Sequence, residues 1–266
     1  TINSNTFRDN YTSIEILNKT NSSGSIQANT FTAQTSPLLS PYTSFVRPLY
    51  HIKLNNVSAA INIGTSTNGN NFSLANFGIY AENASFNSYK NQFTAIRPHN
   101  DLFQSVAIWA NNYTSTTKRT INIGDIDFVG YNYVSNNPSK NSFSTTDRCI
   151  YINGYCDSFV EGCQFTGNGN TSLTYPSNLA VYFSNPWPST LSSLVGNITV
   201  KENRLNQYNG HIDVALPRHA AVTVSSNQLS NTGSSYGRYG IRVKNTSTPG
   251  TTTNNITIND NSIIQS

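Results

Sequence analysis

The sequence predicts an all-β solenoid, in which short strands stack coil upon coil around one apolar interior. Three observations predict this fold class: few charges, short runs of alternating apolar residues, and an asparagine that recurs at one place in those runs. Charged residues make up only 11% of the chain, against about 25% in an average soluble protein. About 40 residues are asparagine, a residue type that favours turns and disfavours helices.

The first strand pattern reads apolar-x-apolar-x-x-Asn-x-apolar. Alternation over so few residues predicts a strand with one buried face. The asparagine predicts a bend, because asparagine tolerates the left-handed region of the backbone. Asparagines at the same place in successive coils would stack into a ladder of side-chain amides. Clear copies are ITVKENRL from 198, VTVSSNQL from 222 and ITINDNSI from 256, and looser copies are INIGDIDF from 121, FSLANFGI from 72, IKLNNVSA from 52, SFVEGCQF from 158 and SIQANTF from 25.

A second pattern, apolar-x-apolar followed closely by Asn, alternates with the first along the chain. One unit is therefore a short strand, a variable loop, and two short strands separated by a bend. Strands this short cannot bury a face alone, but stacking them at about 4.8 Å buries a continuous Ile/Val/Phe column. The copies are IEILN from 14, IWANN from 108, IYING from 150, VYFSN from 181, IDVAL from 212 and IRVKN from 241.

These repeats resemble the right-handed parallel β-helix of the pectate-lyase-like superfamily, which includes polysaccharide lyases, polygalacturonases, phage tailspikes and bacterial surface proteins. The resemblance covers nearly the whole chain, is clearest over 104–266, and implies fold rather than activity. A β-sandwich or a propeller is the alternative, although their repeats would not keep asparagine at one bend. We expect residues 1–266 to form a single β-helix domain that is part of a longer chain, or whose ends a partner covers, because no capping helix is visible.

Charge and composition exclude several partners. The net charge is +4, but no Lys/Arg run of the kind that follows phosphates occurs, so we expect no nucleic-acid partner. No apolar stretch is long enough to span a bilayer. The chain has neither a signal peptide nor a methionine, so we expect it to be processed, trimmed or partial. We expect no cofactor.

Three cysteines are spaced evenly at Cys149, Cys156 and Cys163. Metal sites use closer pairs with further ligands, and no histidine lies nearby. We therefore expect structural thiols and no metal site. A Cys149–Cys156 disulfide across a turn, which would leave Cys163 free, is the alternative.

An outward row of side chains can be predicted from the second pattern. Because Ile241 and Val243 alternate with Arg242 and Lys244, the two cations should point away from the core. The position of Lys244 is shared by Ala215, Ser184 and Asn153. The row predicts an aromatic stripe, Trp109, Tyr151 and Tyr182, that leads into a charged end formed by His211, Asp213, Arg242 and Lys244; the position of Arg242 is also shared by Glu15.

An aromatic stripe on a flat parallel sheet suits sugar rings, whose hydroxyl groups bond to Asn, Asp and Arg. We expect Trp109, Tyr151, Tyr182, Asp213 and Arg242 to bind the glycan. The alternative is that the aromatic side chains only cover the sheet, or that the inserts at 32–50 and 130–147 cover them. Trp187, between two prolines, is either a second contact or loop packing.

Enzymes of the resembled superfamily provide a test for catalysis. Polygalacturonases carry Asn-Thr-Asp, Asp-Asp, Gly-His-Gly and Arg-Ile-Lys motifs, and this chain matches in part, with His211 after Gly210 and with Arg242 and Lys244. The coil before His211 has no acid, whereas inverting hydrolysis needs two carboxyl groups. A lyase needs a cation and a base, which Arg242, Lys244, His211 and Tyr182 could supply. Calcium needs more carboxylates than the pair Asp125 and Asp127.

We therefore expect an extracellular β-helical surface or appendage protein, of adhesin or tailspike type, that binds glycans or builds a rigid spike. Its partners would be a polysaccharide or cell-surface glycan, or further copies of the chain in a trimer or filament. Whether the chain is an enzyme stays open. A polysaccharide lyase or glycoside hydrolase is one alternative, with His211, Asp213, Arg242 and Lys244 as catalytic candidates, and a purely structural filament subunit is the other. The remaining histidines, His51, His99 and His219, are expected in loops or in packing.

Overall fold

The computed structural model describes residues 1–33, 48–94, 96, 105–112, 116–124, 140–144, 148–167, 179–184, 196–216, 221–231, 239–245 and 255–265. Over these residues the chain is a right-handed parallel β-helix, as the sequence predicts. None of the described residues lies in a helix.

Three parallel sheets run side by side along the helix axis. Sheet A contains β1 (Ile2–Asn3), β4 (Gly24–Gln27), β7 (Ile61–Ile63), β10 (Phe86–Ser88), β13 (Arg119–Gly124), β16 (Cys156–Glu161), β19 (Ile198–Lys201), β22 (Val222–Ser225) and β25 (Ile256–Asn259). Sheet B contains β2 (Thr6–Arg8), β5 (Thr30–Thr32), β8 (Asn71–Ser73), β11 (Gln92–Thr94), β14 (Ser142–Ser144), β17 (Gln164–Thr166), β20 (Arg204–Asn206), β23 (Gln228–Asn231) and β26 (Ser262–Gln265). Sheet C contains β3 (Thr12–Leu17), β6 (Tyr50–Asn55), β9 (Phe77–Glu82), β12 (Val106–Asn112), β15 (Arg148–Gly154), β18 (Leu179–Ser184), β21 (Gly210–Leu216) and β24 (Tyr239–Asn245).

Each coil visits sheets A, B and C in turn, so each strand pairs in parallel with the strand three places later. The predicted unit is confirmed: a sheet-C strand is followed by a connection, then by a sheet-A and a sheet-B strand. The register on which the outward row depends is also confirmed, because four inward residues are neighbours on successive rungs of sheet C. They are Ile150, Val181, Ile212 and Ile241.

Stacked phenylalanines fill the core beneath sheet B. The central residue of each sheet-B strand points inward, and in the first six strands it is phenylalanine. Neighbouring rings lie nearly parallel, with centroids 4.7 Å apart for Phe143 and Phe165 and 5.0 Å apart for Phe7 and Phe31. In the last three strands leucine or isoleucine takes the same place. The full column is Phe7, Phe31, Phe72, Phe93, Phe143, Phe165, Leu205, Leu229 and Ile263.

The predicted ladder of asparagine amides lies at the bend between sheets A and B. Except where Cys163 replaces an asparagine, the side-chain oxygen of each asparagine accepts the backbone N–H of the asparagine in the coil before it. At Asn203, for example, the N–H donates to Asn227 Oδ1 over 3.0 Å, and Asn203 Nδ2 donates to the Val160 carbonyl over 2.7 Å. The asparagines of the ladder are Asn5, Asn29, Asn70, Asn91, Asn141, Asn203, Asn227 and Asn261.

The reason for the bend differs from the prediction. In most of these bends the left-handed residue is the one before the ladder asparagine, as at Ala28 (φ 56°), Glu202 (φ 56°) and Ser226 (φ 54°). The asparagine itself stabilises the bend through its amide. Sequence reasoning placed the left-handed conformation one residue too late because a hydrogen-bonding role and a backbone role both favour asparagine.

Two of the looser copies are not copies of the first pattern, because they do not run from sheet A to sheet B as the clear copies do. FSLANFGI begins in sheet B at Phe72 and ends in sheet C at Ile79, and IKLNNVSA begins in sheet C at Ile52. Both stretches alternate in hydrophobicity, but they cross a different corner of the coil. Alternation alone does not distinguish the three sheets, because all three bury every second residue.

All three cysteines are free and buried, which confirms structural thiols and excludes the Cys149–Cys156 disulfide. The Cys149 sulfur lies 3.0 Å from the Tyr208 hydroxyl. Cys163 stands in the amide ladder where the other described coils have asparagine: its N–H donates to Asn203 Oδ1 over 2.9 Å, and Asn141 Nδ2 approaches its sulfur at 3.9 Å. Burial raises the pKa of Cys156 to about 11 and that of Cys163 to about 12.

Candidate functional site on sheet C

An unbroken row of side chains runs along the outside of sheet C, one per coil. The register confirms the predicted positions and adds Lys53 and Tyr80, which sequence reasoning missed. Each is the middle residue of an apolar-x-apolar run that is present in the sequence, in HIKLN from 51 and GIYAE from 78. We call these residues the outer row: Glu15, Lys53, Tyr80, Trp109, Tyr151, Tyr182, Asp213 and Arg242.

Aromatic rings form the middle of the outer row. Trp109 and Tyr151 stack with centroids 5.4 Å apart and an interplanar angle of 17°, and Tyr151 and Tyr182 with centroids 5.0 Å apart and an angle of 20°. Tyr80 meets Trp109 edge to face at 87°. The faces of the stacked rings therefore cover one another, and the partly exposed row presents mainly ring edges to solvent. It is not the row of open ring faces that a sugar platform requires.

A second set of aromatic side chains packs beside the row at its Tyr80 end. Tyr50 lies 5.0 Å from Tyr80 and 5.4 Å from Phe77, and Phe77 lies 5.3 Å from Trp109, measured between ring centroids. Burial and the neighbouring Tyr80 raise the pKa of Tyr50. These contacts hold Tyr80 and Trp109 in place from the side, which stiffens this part of the surface.

One end of the outer row is an ion pair at the surface. Lys53 Nζ lies 2.7 Å from Glu15 Oε1, and the two side chains are 28% and 40% exposed. The hydrogen bond with Glu15 raises the pKa of Lys53. The cation of this rung is therefore already neutralised by the carboxylate of the rung before it.

The other end is a buried carboxylate bound by an arginine. Asp213 is completely buried, and Arg242 reaches it with two nitrogens, with Nε 3.0 Å from Oδ1 and Nη2 on Oδ2. The Tyr239 hydroxyl donates to Asp213 Oδ2 over 3.2 Å, and the Arg242 guanidinium lies 4.0 Å from the Tyr239 ring centroid. A side chain at Gly210 would clash with this ring, because an added Cβ would lie 2.7 Å from it. Two arginine nitrogens on one carboxylate form a strong, directional pair.

His211 does not join this charged end. Its side chain is 3% exposed and points into the coil, where Nε2 lies 3.3 Å from the Ser230 carbonyl. Residues 210–214 are all buried, so burial does not alternate along this part of β21, and the contact with Ser230 of sheet B shows that the His211 ring faces the interior. The expectation that His211 lies with Asp213 and Arg242 on the outer face is therefore corrected.

His51 occupies the equivalent place in an earlier coil. Its Nε2 lies 2.7 Å from the Ser73 carbonyl, and its ring contacts Phe31 and Phe72. Burial lowers the pKa of both His51 and His211 to about 4. Both histidines are neutral packing residues near pH 7, which confirms the expectation for His51.

Amide side chains form a second column beside the aromatic rings. Asn153 Nδ2 donates to Asn111 Oδ1 over 3.2 Å, and the two residues are 6% and 9% exposed. A hydrogen bond links the Tyr151 hydroxyl to Ser184, which lowers the pKa of Tyr151, while burial raises it more strongly. Within the part of the chain that the structure describes, Asn153 Oδ1 and Trp109 Nε1 are buried without a hydrogen-bond partner.

Two further cations border the row. Arg148 is 3% exposed, and its guanidinium carbon lies 6.0 Å from the Tyr151 ring centroid. Lys244 follows the outer row in β24, next to Ala215 of β21, and is half-buried. Arg148, Lys244 and Arg242 all take part in further interactions, so none of them is an uncommitted cation.

Several predicted residues lie outside the described residues. They include Trp187, the histidines at 99 and 219, and the acid pair of Asp125 and Asp127. Most of the inserts at 32–50 and 130–147 also lie outside, so the alternative that they cover the stripe stays untested. Among the described residues, no group of three or more His, Cys, Asp or Glu could hold a metal ion.

Comparison of the chain with family models, curated proteins and solved structures gave no match in any of the three. In the described residues no helix is long and apolar enough to cross a membrane. The functional argument therefore rests on the geometry of sheet C.

Proposed function

We propose that this chain is the body of an extracellular surface or appendage protein, of adhesin or tailspike type within the pectate-lyase-like superfamily. In this proposal the β-helix is a stiff shaft, and its sheet-C face contacts glycans. The observation that carries the proposal is the row of four uncharged, partly exposed aromatic rungs, Tyr80, Trp109, Tyr151 and Tyr182, in register on the outside of sheet C.

Stiffness is supported by ladders of like residues. Phenylalanine stacks inside sheet B, asparagine amides bond along one bend, and aromatic rings stack outside sheet C. Each ladder ties a coil to its neighbours, so bending the shaft would strain three sets of contacts together. A surface with few charges gives little charge-driven binding, which suits a molecule exposed among many others.

Glycan contact is supported by the chemistry of ring edges. An aromatic ring is electron-rich on its face and electron-poor at its edge, so a row of edges favours the oxygen atoms of a ligand. The amide and hydroxyl side chains beside the row can both donate and accept hydrogen bonds. Sugars carry many hydroxyl oxygens, and the coil repeat of about 4.8 Å is close to the length of one sugar in an extended chain.

The enzyme alternatives receive less support. The charged end was the candidate for catalysis, but Asp213 is bound by Arg242 and Tyr239 inside the fold. His211 faces the interior and is neutral near pH 7. Of the four catalytic candidates, the two possible bases, His211 and Asp213, are both buried, whereas lyase chemistry requires an accessible base.

A structural filament subunit is the second candidate. The mutual covering of the faces of Trp109, Tyr151 and Tyr182 favours it, because stacked rings stabilise a shaft whether or not a ligand binds. Sedimentation of the purified chain distinguishes the two. Assembly into filaments without glycan binding supports the structural subunit.

Immunogold labelling tests the proposed location. Antibodies against the chain are applied to intact source cells or particles and, in parallel, to permeabilised ones. We expect gold particles on surface structures of the intact samples. Label that appears only after permeabilisation would overturn the proposal.

A further inference from the structure

The charges of the outer row are paired with one another. Lys53 pairs with Glu15 at one end, and Arg242 pairs with Asp213 at the other. Between the two pairs lie four rungs without charge. An acidic sugar on these rungs would meet ring edges and amides, and both row cations already have a carboxylate partner.

Beside the four ring rungs, the neighbouring column carries an acid, two amides and a hydroxyl, and its cation, Lys244, lies two rungs beyond Ser184. Glu82 neighbours Asn55 and Asn111 on sheet C, and it is partly exposed. It would repel a uronate or a sulfate that approached from the Tyr80 end. The nearest buried cation, Arg148, has other interactions to satisfy. The strip of sheet C that holds the four ring rungs and the column beside them, which we call the sheet-C strip, therefore carries almost no net charge.

Two buried polar atoms in the sheet-C strip have unused hydrogen-bonding capacity. Asn153 Oδ1 is an acceptor in a residue that is 6% exposed, and Trp109 Nε1 is a donor, and neither has a partner in the part of the chain that the structure describes. Leaving such groups buried and unpaired costs free energy. The residues lie on adjacent rungs and adjacent columns of sheet C. A hydroxyl group both donates and accepts, so it matches this donor and acceptor.

We infer that the ligand of the sheet-C strip is a neutral glycan, which lies along the four aromatic rungs and brings hydroxyl groups to Asn153 and Trp109. This inference rests on the proposed glycan contact and narrows it to uncharged sugars. Binding then depends on hydrogen bonds and contact area. It does not depend on the attraction of opposite charges, so added salt leaves it nearly unchanged.

A glycan array tests the inference directly. The purified chain is applied to neutral oligosaccharides (glucans, mannans, galactans, chitin fragments) and to acidic ones (oligogalacturonates, alginates, sulfated glycans). We expect binding to neutral members. For these, the dissociation constant should change less than about twofold between low and high salt. Binding confined to acidic members, with strong weakening by salt, would overturn the inference.

Variants place the ligand on sheet C. We expect Asn153→Ala and Tyr182→Ala each to weaken binding about tenfold, because each removes a contact to the sugar. Phe159→Ala is the matched control: Phe159 is a partly exposed aromatic residue that faces outward from sheet A, and its loss should leave affinity unchanged. Melting curves of all three variants verify that they are folded. Equal affinity of the wild type and both sheet-C variants would contradict the placement of the ligand on the sheet-C strip.

Failure of this inference and failure of the proposed function are separable. If immunogold labelling places the chain on the surface but no neutral glycan binds, the neutral-glycan inference is wrong and the structural shaft remains. If the label is only internal, the proposed function itself is wrong, whatever the array shows.

Discussion

The first two thirds of the β-helix and its last third share one backbone but differ in what fills and faces it. In the first six sheet-B strands the inward column is phenylalanine, and from β20 onward it is Leu205, Leu229 and Ile263. The outer row changes at nearly the same place along the helix, from aromatic rungs to the Asp213–Arg242 pair. We call these the phenylalanine coils and the aliphatic coils.

This difference shows which features every coil of the fold keeps and which features vary from coil to coil. The amide ladder continues through both regions, with the Asn29–Asn70 and Asn203–Asn227 steps made by the same bonds at nearly the same distances. Register is therefore set at the bend, while the core needs only an apolar side chain of sufficient size. The outward surface is freer still, because it affects neither the bend nor the core.

Acid provides the largest test, because each region buries one histidine in the same way. The pKa of His51 and that of His211 are both lowered from 6.5 to about 4. An unfolded chain then binds more protons than the folded chain at intermediate pH. Stability should be complete above about pH 6.5 and fall as the pH drops toward 4, by roughly 3 kcal/mol for each histidine. Urea unfolding at several pH values measures this loss.

Glutamine variants assign the loss to a region. In His51→Gln and His211→Gln, the amide can still donate to the same carbonyl but does not titrate in this range. Each single variant should remove about half of the histidine-dependent slope, and the double variant should remove it all. A double variant with the wild-type pH dependence would show that other groups cause the acid sensitivity.

Ion pairs at the two ends of the outer row provide the next test. We expect Asp213→Ala in the aliphatic coils to cost about 3 kcal/mol, because it leaves Arg242 and Tyr239 without their buried partner. Glu15→Ala in the phenylalanine coils should cost less than about 1 kcal/mol, since that pair is exposed to water. Thermal and urea unfolding compare them, and equal costs would show that the burial of Asp213 does not matter.

Exchanging the core residue types tests whether each region tolerates the side chain that the other region has in its sheet-B column. Phe93→Leu should cost about 2 kcal/mol, because Phe93 stacks on both Phe72 and Phe143 and a smaller side chain leaves a gap. The reverse change, Leu229→Phe, should cost about 1–3 kcal/mol by overpacking coils that have no ring to stack on. Calorimetry of both variants measures this, and a stabilising Leu229→Phe would show that the aliphatic coils are underfilled.

Much of this architecture could be predicted from the sequence, and particular residues show where prediction stopped. The outer row from Trp109 to Arg242 was predictable because alternation fixes which side chains point out. His211 was misplaced because alternation fails at the start of β21, and nothing in the letters GHID marks that failure. The stacking of Trp109, Tyr151 and Tyr182 follows from side-chain rotation, which spacing does not encode. Asp213 and Arg242 occupy the same position in successive copies of the second pattern, so the sequence predicts that they are neighbours. Nothing in the sequence predicts the burial of Asp213.

Cys163 lies between the two regions and provides the smallest and most specific test. It interrupts the amide ladder: Asn141 Nδ2 donates to the Ser88 carbonyl over 2.7 Å, but toward the next rung it meets a sulfur at 3.9 Å where other rungs offer an oxygen. Cys163→Asn should restore the oxygen for Asn141 and let the new amide donate toward the Ile123 carbonyl, which the thiol already faces at 3.5 Å. We expect a gain of about 1 kcal/mol in urea unfolding. Asn203→Cys, which creates the same interruption one coil later, should lose a similar amount. A destabilising Cys163→Asn would mean that this rung is shaped for sulfur, and that the ladder is locally adapted where the phenylalanine and aliphatic coils meet.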